Sequence, residues 1–317
     1  MKRVIFVVPE GVEILDLAGP AQVFHEASAL GAPYRIVFAA ESTQLKTEQG
    51  LGVHGLEPLP RDITPGDLVV VAGSSTLRKR ALRRDGSLRN LRGWLRGAYD
   101  GGAQVTSVCV GSFALAAAGL LDGRTATTHW KRVEEFRRAF PRVRVETDRL
   151  YVFDGRIATS AGIASGIDLA LAIVERDCGP RIAALTAREV VVTSRRPATH
   201  EQLSPYQALR DHTVAEVHVV QDWLIAHPAE PYTLAQLAQV AGVSERTLTR
   251  QFRAATGSSV KAYATALRLE QARALLRDAT LSVQSVAERC GFADARQLRR
   301  LWQSRYGTTP RLRQQHG

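Results

Sequence analysis

The sequence predicts an α/β domain with a mainly parallel sheet, followed by an all-α domain with two helix-turn-helix units. Residues 1–190 alternate short, uninterrupted runs of β-branched apolar residues with helical stretches, a pattern typical of buried parallel strands. Residues beyond 213 show only helical periodicity, and they contain an internal repeat. A chain of 317 residues is about twice the length of a typical domain, which agrees with this division.

The predicted sheet rests on four apolar runs and one turn signal. The runs are Val4–Val8, Tyr34–Ala39, Leu68–Val71 and Val105–Val108. Helices are predicted between them at Ala18–Leu30 and Leu88–Tyr99. The Asp154-Gly155 pair lies between two further short strands, Leu150–Val152 and Arg156–Ala158, and Asp-Gly is a strong hairpin signal. Strands that alternate with helices in this way predict a parallel sheet covered by helices.

The two predicted domains are joined by a segment without clear periodicity. The first domain is predicted over residues 1–192 and the second over residues 213–317. Residues 193–212 contain Pro, Ser, Arg and His, a composition typical of a linker. The helical pattern of the second domain begins with apolar residues at spacings of three and four: Val214, Val217, Val220 and Leu224.

The composition excludes several classes of protein. With 45% hydrophobic and 23% charged residues it is that of a globular chain, and no apolar run approaches the ~20 residues of a membrane helix. The apolar run after Met1 is too short for a signal-peptide core, so no membrane partner is expected. Cys109, Cys178 and Cys290 form no CxxC pair, which argues against a disulfide framework or structural zinc. The sequence therefore predicts a cytoplasmic protein with no metal and no cofactor.

Positive charge is concentrated towards the C-terminal end. Residues 229–317 contain 14 Lys and Arg against 6 Asp and Glu, so they carry +8 of the net +11. A basic domain joined to a nearly neutral one is typical of a module that binds nucleic acid, because neutralising phosphates releases counterions. Charge that only keeps the protein soluble is the alternative, and charge alone does not decide between the two.

An internal repeat divides the predicted all-α domain into two similar halves. Leu237–Gly242 matches Val286–Gly291 at an offset of 49 residues. Downstream the offset is 50, as three pairs show: Leu248 and Leu298, Phe252 and Trp302, Gly257 and Gly307. The change of offset places one extra residue in the second turn. Because two copies are too few for a stacked repeat protein, two small helical units joined by a long helix are expected.

Each half has the pattern of a helix-turn-helix. In the first half, Ala238 suits a close helix crossing, Gly242 suits a turn with positive φ, and Leu248 suits an apolar anchor for the second helix. Thr233 and Gln236 predict a capping box at the start of the first helix. Both halves are therefore predicted to present their second helix to a partner.

The second helix of each unit is predicted to expose polar and basic side chains. After an N-cap at Ser244, the outward residues of the first unit are Glu245, Arg246, Thr249, Arg250 and Arg253. Those of the second unit are Arg296, Gln297, Arg299, Arg300 and Gln303. Arg and Gln hydrogen-bond to guanine and adenine edges in the major groove, whereas Arg253 and Arg299 are assigned to phosphates. A basic helix that is merely solvated is the alternative.

The two units and the helix around Lys261–Arg277 that joins them resemble the AraC/XylS family of transcriptional regulators. The resemblance covers about residues 214–313. It is carried by LAQLAQVAGVSERTLTRQFRAATG in the first unit and by GF at Gly291-Phe292 and YGTTP at Tyr306–Pro310 in the second. It implies that two recognition helices enter successive major grooves of one asymmetric DNA site, with contacts from Arg246, Arg250, Arg296 and Arg300. The second recognition helix begins Asp294-Ala295-Arg296 instead of with the family's serine-rich start, so its base preference stays open.

The sharpest feature of the first domain is the stretch around Cys109. An apolar strand ends at Cys109 and a helix of small residues, Phe113–Leu121, follows at once. A strand-turn-helix of this kind strains the cysteine backbone, exposes the sulfur and directs helix amides towards it, which lowers the pKa of a thiol. The pattern favours a reactive or ligand-sensing cysteine, and a buried structural cysteine is the alternative.

Two other stretches place polar residues after predicted strands. Asp16 lies among apolar residues just beyond the first strand, where a carboxylate either caps the next helix or faces a pocket; the pattern does not decide. His129 lies in the run Ala126–Trp130 at the end of a predicted strand, the usual ligand edge of an open sheet. A lone His there is more often a structural residue than a catalyst.

Together these stretches resemble the DJ-1/PfpI superfamily, a branch of the class I glutamine amidotransferase-like fold, over about residues 2–187. The resemblance is carried by LDLAGPAQVF (Leu15–Phe24), SVCVGSFALAAAGLLDGR (Ser107–Arg124), ATTHW (Ala126–Trp130) and SAGIASGIDLAL (Ser160–Leu171). It implies a flavodoxin-like fold. It also implies an effector pocket, or vestigial catalytic site, formed by Cys109, Asp16, Gly73, Ser74, Val110 and His129.

Departures from the superfamily pattern bear on catalysis. Val110 follows Cys109 where protease-like members carry His, so the adjacent general base is missing and peptidase chemistry is not expected. Ala72-Gly73-Ser74 stands in place of the usual Pro-Gly-Gly, which weakens the case for an oxyanion site. The hydratase-like branch pairs a cysteine with an aspartate, and both Cys109 and Asp16 are present. We expect a retained pocket without catalysis.

The order of the two domains resembles a fused architecture of bacterial regulators. It implies a sequence-specific DNA-binding transcription regulator, not an enzyme, that binds promoter DNA and responds to a small metabolite held by the first domain. The resemblance also implies a homodimer, and RNA polymerase is a further candidate partner. One alternative is a Cys109-dependent hydratase or hydrolase of the isocyanide hydratase type with an autoregulatory DNA-binding tail. Another is a redox sensor that acts through oxidation of Cys109.

Overall fold

The computed structural model describes residues 1–83, 85–147, 149–192, 196–198, 202, 209–276 and 280–310. Contacts divide the chain into two units, residues 1–202 and residues 203–317. The first unit is an α/β domain and the described part of the second is helical, so the predicted fold class is confirmed. Much of the predicted linker, residues 193–212, lies outside the described residues.

The described strands all belong to the first unit, and seven of them form one sheet. They are β1 (Lys2–Val7), β2 (Tyr34–Ala40), β3 (Gln44–Lys46), β4 (Gly52–His54), β5 (Glu57–Pro58), β6 (Leu68–Val71), β7 (Gln104–Val108), β8 (Thr125–Ala126), β9 (Arg144–Val145), β10 (Tyr151–Asp154) and β11 (Ile157–Ser160). The sheet order is β10-β11-β7-β6-β1-β2-β5. Neighbouring strands of this sheet are parallel except for β10 and β11, which form a hairpin around the predicted Asp154-Gly155 turn.

Helices cover both faces of this sheet. Those described in the first unit are α1 (Ile14–Ala29), α2 (Ser75–Leu82), α3 (Arg89–Asp100), α4 (Ser112–Ala117), α5 (Val133–Ala139) and α6 (Ser165–Glu189), the last of which breaks at Gly179. Phe6 of β1 contacts Phe24 of α1, with ring centroids 6.3 Å apart. Its neighbour Ile5 packs with Trp94 of α3 on the other face. Because both faces are buried, β1 is a continuous apolar run and not an alternating one.

The second unit reproduces the repeat seen in the sequence. Its described helices are α7 (Ala215–Ala226), α8 (Leu234–Val240), α9 (Glu245–Thr256), α10 (Val260–Leu275), α11 (Val283–Arg289) and α12 (Ala295–Tyr306). α11 follows α8 by 49 residues and α12 follows α9 by 50, so the second turn is one residue longer, as predicted. The capping box of Thr233 and Gln236 is present, and Ser244 Oγ accepts from Thr247 N.

The helix α10 belongs to both cores of the second unit. Its N-terminal half buries Tyr263 and Leu267 in a cluster with Phe252 of α9. Its C-terminal half buries Leu269 in a second cluster with Leu298 of α12. With 16 residues at 1.5 Å each, α10 spans about 24 Å. One continuous helix therefore sets the separation of the two helix-turn-helix units.

Arg268 lies where the two halves of α10 meet, and it connects the two helix-turn-helix halves of the second unit. Its Nε donates to Pro228 O (2.8 Å), its Nη1 to Gly291 O (3.0 Å) and its Nη2 to Glu230 O (2.9 Å). Gly291 has a φ of +73° and lies so close to the loop before α8 that a Cβ on it would collide with Ala229 O. The planar fork of a guanidinium can donate to three carbonyls in fixed directions, which a lysine ammonium does not reproduce.

Replacing Arg268 should loosen both loops. The substitution Arg268→Ala removes three charge-assisted hydrogen bonds, and a loss of about 1–3 kcal/mol raises the equilibrium constant of local opening about 5- to 150-fold. We expect faster amide hydrogen exchange in residues 228–232 and 289–292, measured by mass spectrometry on the full chain. Lys261→Ala, at an exposed position of the same helix, is the control. Unchanged exchange in both segments of the Arg268→Ala chain would contradict the assigned role.

Candidate functional site

The exposed faces of α9 and α12 carry the same arginine pattern. Because α9 begins at Glu245 and α12 at Ala295, Arg246 matches Arg296 and Arg250 matches Arg300. All four arginines are exposed, whereas the opposite faces bury Leu248, Phe252 and Leu298. Each helix therefore presents two arginines one turn apart to the solvent.

The other predicted contacts lie on the same faces. Arg253 and Arg299 are exposed, and Thr249 is exposed with its hydroxyl donating to Glu245 O (2.9 Å). Gln297 is half-buried and forms part of the helix cap, because its Oε1 accepts from Ala293 N (2.7 Å). Its own backbone N–H donates to the N-cap carboxylate of Asp294 (2.6 Å). Gln297 thus combines a capping role with its position at the edge of the exposed face.

The positive charge of these helices is not neutralised locally. The described part of the chain contains no ion pair to any of six arginines: Arg246, Arg250, Arg253, Arg296, Arg299 and Arg300. Arginine donates in a rigid bidentate geometry to guanine O6 and N7 and to phosphate oxygens. The two surfaces are therefore equipped to bind the major groove and the backbone of double-stranded DNA.

A second candidate site lies where four neighbouring strands of the sheet end. Cys109 follows β7, Gly73 lies two residues after β6, Gly162 lies two residues after β11, and Asp16 lies on α1 beyond β1. Cys109 has a φ of +57°, which is unusual for a residue with a side chain. The carboxyl edge of a parallel sheet is the usual ligand edge of such folds.

Asp16 faces this site and does not cap α1. The N-cap of α1 is Glu13, and both carboxyl oxygens of Asp16 are buried without a hydrogen bond of normal geometry to a described residue. A Cβ at Gly73 would collide with Asp16 Oδ2, so the backbone of Gly73 approaches the carboxyl closely. Burial raises the pKa of Asp16 to about 7; the charge of Glu13 acts in the same direction, while the Cys109 thiol acts in the opposite one.

The expectation of an exposed thiol with a lowered pKa is wrong. Cys109 is only 5% exposed, and burial, together with the neighbouring Asp16 carboxylate, raises the pKa of the thiol far above its usual range. The backbone N–H groups of Val110 and Ile163 act in the lowering direction but do not compensate. Val110 is itself buried beside the cysteine. Cys109 is therefore a protonated thiol at neutral pH, although its backbone is strained as the strand-turn-helix pattern predicts.

His129 borders this site, whereas Ser74 caps a neighbouring helix. A side chain at Gly162 would contact both the His129 ring and Cys109 Sγ, so His129 borders the site. Burial and the charges of Lys131 and Arg132 lower the pKa of His129, whose Nδ1 accepts from Lys131 N (3.3 Å). The strand before it, β8, pairs with β9 outside the main sheet, but His129 still lies beside Gly162 and Cys109 at the carboxyl edge of the main sheet. Ser74 is fully buried and caps α2, accepting from Leu77 N (3.1 Å).

Sequence reasoning missed the residues that hydrogen-bond to the backbone carbonyl of Cys109. Thr128 Oγ1 and Ser112 Oγ both donate to Cys109 O, at 3.3 and 3.1 Å. Gln202, within the predicted linker, places its Nε2 at 3.1 Å from Thr128 O. Thr128 lies in a motif that the sequence singles out, but nothing in the pattern links it to Gln202. Contacts between residues 74 positions apart carry no local sequence signal.

The described residues contain neither a metal-binding cluster nor a helix that could span a membrane. No group of three or more His, Cys, Asp or Glu side chains is placed to hold a metal ion there. Within the same residues, no helix combines the length and the apolar character needed to cross a membrane.

Comparison with known proteins matches both units. A model described as the DJ-1/PfpI family matches residues 2–176, and one described as a helix-turn-helix domain matches residues 237–315. The HTH-type transcriptional regulator CdhR of Pseudomonas aeruginosa is 33% identical over 281 residues, which cover 86% of this chain and 79% of that protein. The HTH-type transcriptional regulator GbdR of the same species is 27% identical over 310 residues, covering 96% and 82%.

A solved structure shares the fold. A THiJ/PfpI family protein from Pseudomonas syringae gives a TM-score of 0.54 with 22% identity, and the match covers 76% of this chain and 90% of that one. At this level of identity the likeness concerns the fold alone.

Neutralising Asp16 should change how stability depends on pH. The pKa of Asp16 is about 7 in the folded chain against an ordinary value of 3.8, so between these pH values the unfolded chain binds fewer protons than the native chain. Stability due to this group is therefore fully present below the ordinary value and is lost as pH rises towards 7, by up to about 1.4 kcal/mol per pH unit. Asp16→Asn should abolish this loss. The free energy of unfolding of the variant, relative to that of the wild type, should therefore rise from pH 5 to 7 and then level off.

The measurement is urea unfolding at several pH values between 5 and 8. Replacing Trp223 and Trp302 by Phe in every chain leaves the fluorescence of the first unit's Trp94 and Trp130 as the signal. Asp100→Asn, which changes an exposed carboxylate of the same unit, is the control. Parallel pH profiles for the wild-type and Asp16→Asn chains would contradict the raised pKa.

Proposed function

The chain belongs to the DJ-1/PfpI family and to the AraC-type helix-turn-helix transcriptional regulators, and on this basis we propose that both recognition helices bind one asymmetric promoter site. It is a DNA-binding regulator of transcription. The observation that supports the proposal is the equivalence of the exposed pairs Arg246 and Arg250 on α9 and Arg296 and Arg300 on α12. A helix that presents two arginines one turn apart can contact base edges over a few adjacent base pairs.

We assign the exposed side chains two kinds of DNA contact. The base contacts are made by Arg246, Thr249, Arg250, Arg296, Gln297 and Arg300. Arg253 and Arg299 contact phosphates, which position the protein on the duplex without selecting its sequence. This division gives each class of residue a different experimental signature.

The first unit, in this proposal, binds a small metabolite at the edge of the sheet. The binding groups are Cys109, Asp16, His129 and the backbone at Gly73 and Val110, while Ser74 supports Gly73 by capping α2. A protonated thiol, a carboxyl with a pKa of about 7 and a neutral imidazole offer hydrogen bonds without a fixed charge. Such a site suits a small polar ligand.

We propose that this site binds and does not catalyse. A nucleophilic cysteine acts as its thiolate, but burial keeps the Cys109 thiol protonated. Asp16 adjoins Cys109, as the hydratase-like alternative requires, yet its negative charge also raises the thiol pKa. The same burial disfavours a redox sensor, since oxidation by peroxides needs an accessible, acidic thiol.

A line of contacts connects this site to the segment that leads to the second unit. Cys109 O accepts from Thr128 Oγ1, and Thr128 O lies 3.1 Å from Gln202 Nε2. The same segment is held by Ala198 O, which accepts from Leu150 N, and by Arg196, which pairs with the buried Asp168 at 2.6 Å. We propose that a ligand beside Cys109 displaces Thr128 and releases or tightens this segment, which changes DNA binding.

The remaining partners follow from the proposed activity. We propose a homodimer in the cytoplasm, where promoter DNA and RNA polymerase are both present, with RNA polymerase as a direct partner at activated promoters. Sedimentation equilibrium tests the dimer, and a chain that remains monomeric at micromolar concentration would contradict it.

The two classes of DNA contact can be separated on a selected site. Sites are selected from sheared genomic DNA by the wild-type chain and then used in binding titrations. Arg296→Ala should lose about 1–3 kcal/mol on the selected site and relax its preference at one or two base pairs. Arg299→Ala should weaken all sequences alike and lower the salt slope by about one charge. Arg188→Ala, an exposed arginine of the first unit, is the control.

Two results would contradict this assignment. One is an Arg296→Ala chain with the affinity and base preference of the wild type. The other is uniform enrichment of genomic fragments without a shared motif, because that pattern indicates a basic surface without sequence selectivity.

The anchoring of Gln202 predicts a local change that needs no ligand. Gln202→Ala removes the contacts to Thr127, Thr128 and Thr147, and a loss of about 1 kcal/mol raises local opening about fivefold. Trypsin should then cut the full chain about fivefold faster between residues 193 and 212. Gln44→Ala, an exposed glutamine elsewhere in the unit, is the control. Equal cleavage rates for Gln202→Ala and wild type would contradict the anchor.

A further inference from the structure

A cavity of the first unit lies away from Cys109. Whereas Cys109 precedes the first turn of α4, this cavity is bordered by residues 116–119 at the opposite end of that helix. Its other walls come from the end of α2, from α3 and from the end of α5. The cavity has a volume of about 1080 Å³. The regulatory site proposed above does not include any of its residues.

The lining of this cavity is strongly basic. Six arginines line it: Arg83, Arg89, Arg92, Arg96, Arg138 and Arg142. The acidic lining residues are Asp85 and Asp122, and Asp122 already pairs with Arg142 at 2.6 Å. Arg96 donates to Ala118 O (2.8 Å), which holds its guanidinium over the end of α4. The cavity therefore carries an excess of positive charge that its own carboxylates do not balance.

The arrangement of arginines on α3 is unfavourable unless an anion is present. Arg89, Arg92 and Arg96 follow one another at spacings of three and four residues, so they share one face of the helix. Like charges at these spacings repel, and Arg89 and Arg92 lie in the first turn, where the helix dipole favours negative charge. Neither of these two arginines forms an ion pair with a described residue. A bound anion would relieve both effects.

We propose that this cavity is a second ligand site, selective for a phosphorylated small molecule that carries several negative charges. Arginine forks bind phosphate oxygens bidentately, and three of them converge here from one helix face. The floor formed by Ala116, Ala117 and Ala118 leaves room for the ligand's uncharged part. A concave site of this size suits a small molecule, whereas the backbone of a rod-like duplex requires an open surface. The proposal is independent of the Cys109 site and of the DNA-contacting helices.

The test is calorimetric titration of the full chain with inorganic tripolyphosphate at low ionic strength, with citrate as a carboxylate comparison. We expect saturable binding of one tripolyphosphate per chain at this cavity and weaker binding of citrate. Arg89→Ala/Arg92→Ala removes two exposed side chains and should weaken tripolyphosphate binding about tenfold or more. Arg35→Ala/Arg61→Ala removes two exposed arginines of the same unit outside the cavity and should change the affinity less than about twofold.

The DNA-contacting arginines supply the second comparison. Arg250→Ala/Arg296→Ala should leave the tripolyphosphate affinity of the cavity unchanged. Three results would overturn the proposal: no saturable binding, equal weakening by the Arg35/Arg61 control, or loss of binding in the Arg250/Arg296 chain alone. The last result would assign the anion to the DNA-binding surface. Citrate that binds as tightly as tripolyphosphate would overturn the selectivity for phosphate.

Discussion

The arrangement of the DNA-binding unit depends on one helix that two cores share. α10 buries one half in the core of the first helix-turn-helix and the other half in the core of the second, so residues of this helix belong to both cores. Arg268 then fastens the loop before α8 to the turn before α12 through three carbonyls. A pair of helix-turn-helix units on a flexible tether could adapt to many spacings. Two units on one rigid helix present their arginines at a single separation, and specificity can therefore depend on geometry as well as on base contacts.

The first unit shows how burial overrides local chemistry. The strand-turn-helix around Cys109 strains the backbone and brings N–H groups close to the sulfur, which is the arrangement of a reactive thiol. Burial and the adjacent Asp16 carboxylate have the larger effect, and the thiol stays protonated. The same burial raises the pKa of Asp16. We propose that this fold, which serves catalysis elsewhere, here holds a ligand by hydrogen bonds and couples it, through Thr128, to the segment containing Gln202.

The sequence predicted those features that depend on local patterns. Uninterrupted apolar runs predicted β1 and β6, because strands buried on both faces need no polar positions. Apolar runs also predicted β2 and β7, although Arg35 interrupts the first and Thr106 and Ser107 interrupt the second. The change of repeat offset from 49 to 50 predicted the longer second turn, since a one-residue insertion shifts every later position. The exposure of Arg246 and Arg296 followed from helical periodicity. Sequence could not predict the burial of Cys109, which depends on α1 and on the loop after β11. Nor could it predict the arginine cavity, because local patterns do not show how the four successive helices α2 to α5 pack together to form its walls.

The most direct test of a fixed separation is to change the spacing within a selected site. Five or ten base pairs are inserted between the two contacted segments, and the affinity of the full chain is measured for each duplex. If α10 holds the recognition helices rigidly, both insertions should cost the contacts of one helix, about 3 kcal/mol or more, although ten base pairs restore the rotational phase. Unchanged affinity for the ten-base-pair insertion would contradict the account, because it would mean that the two units move independently.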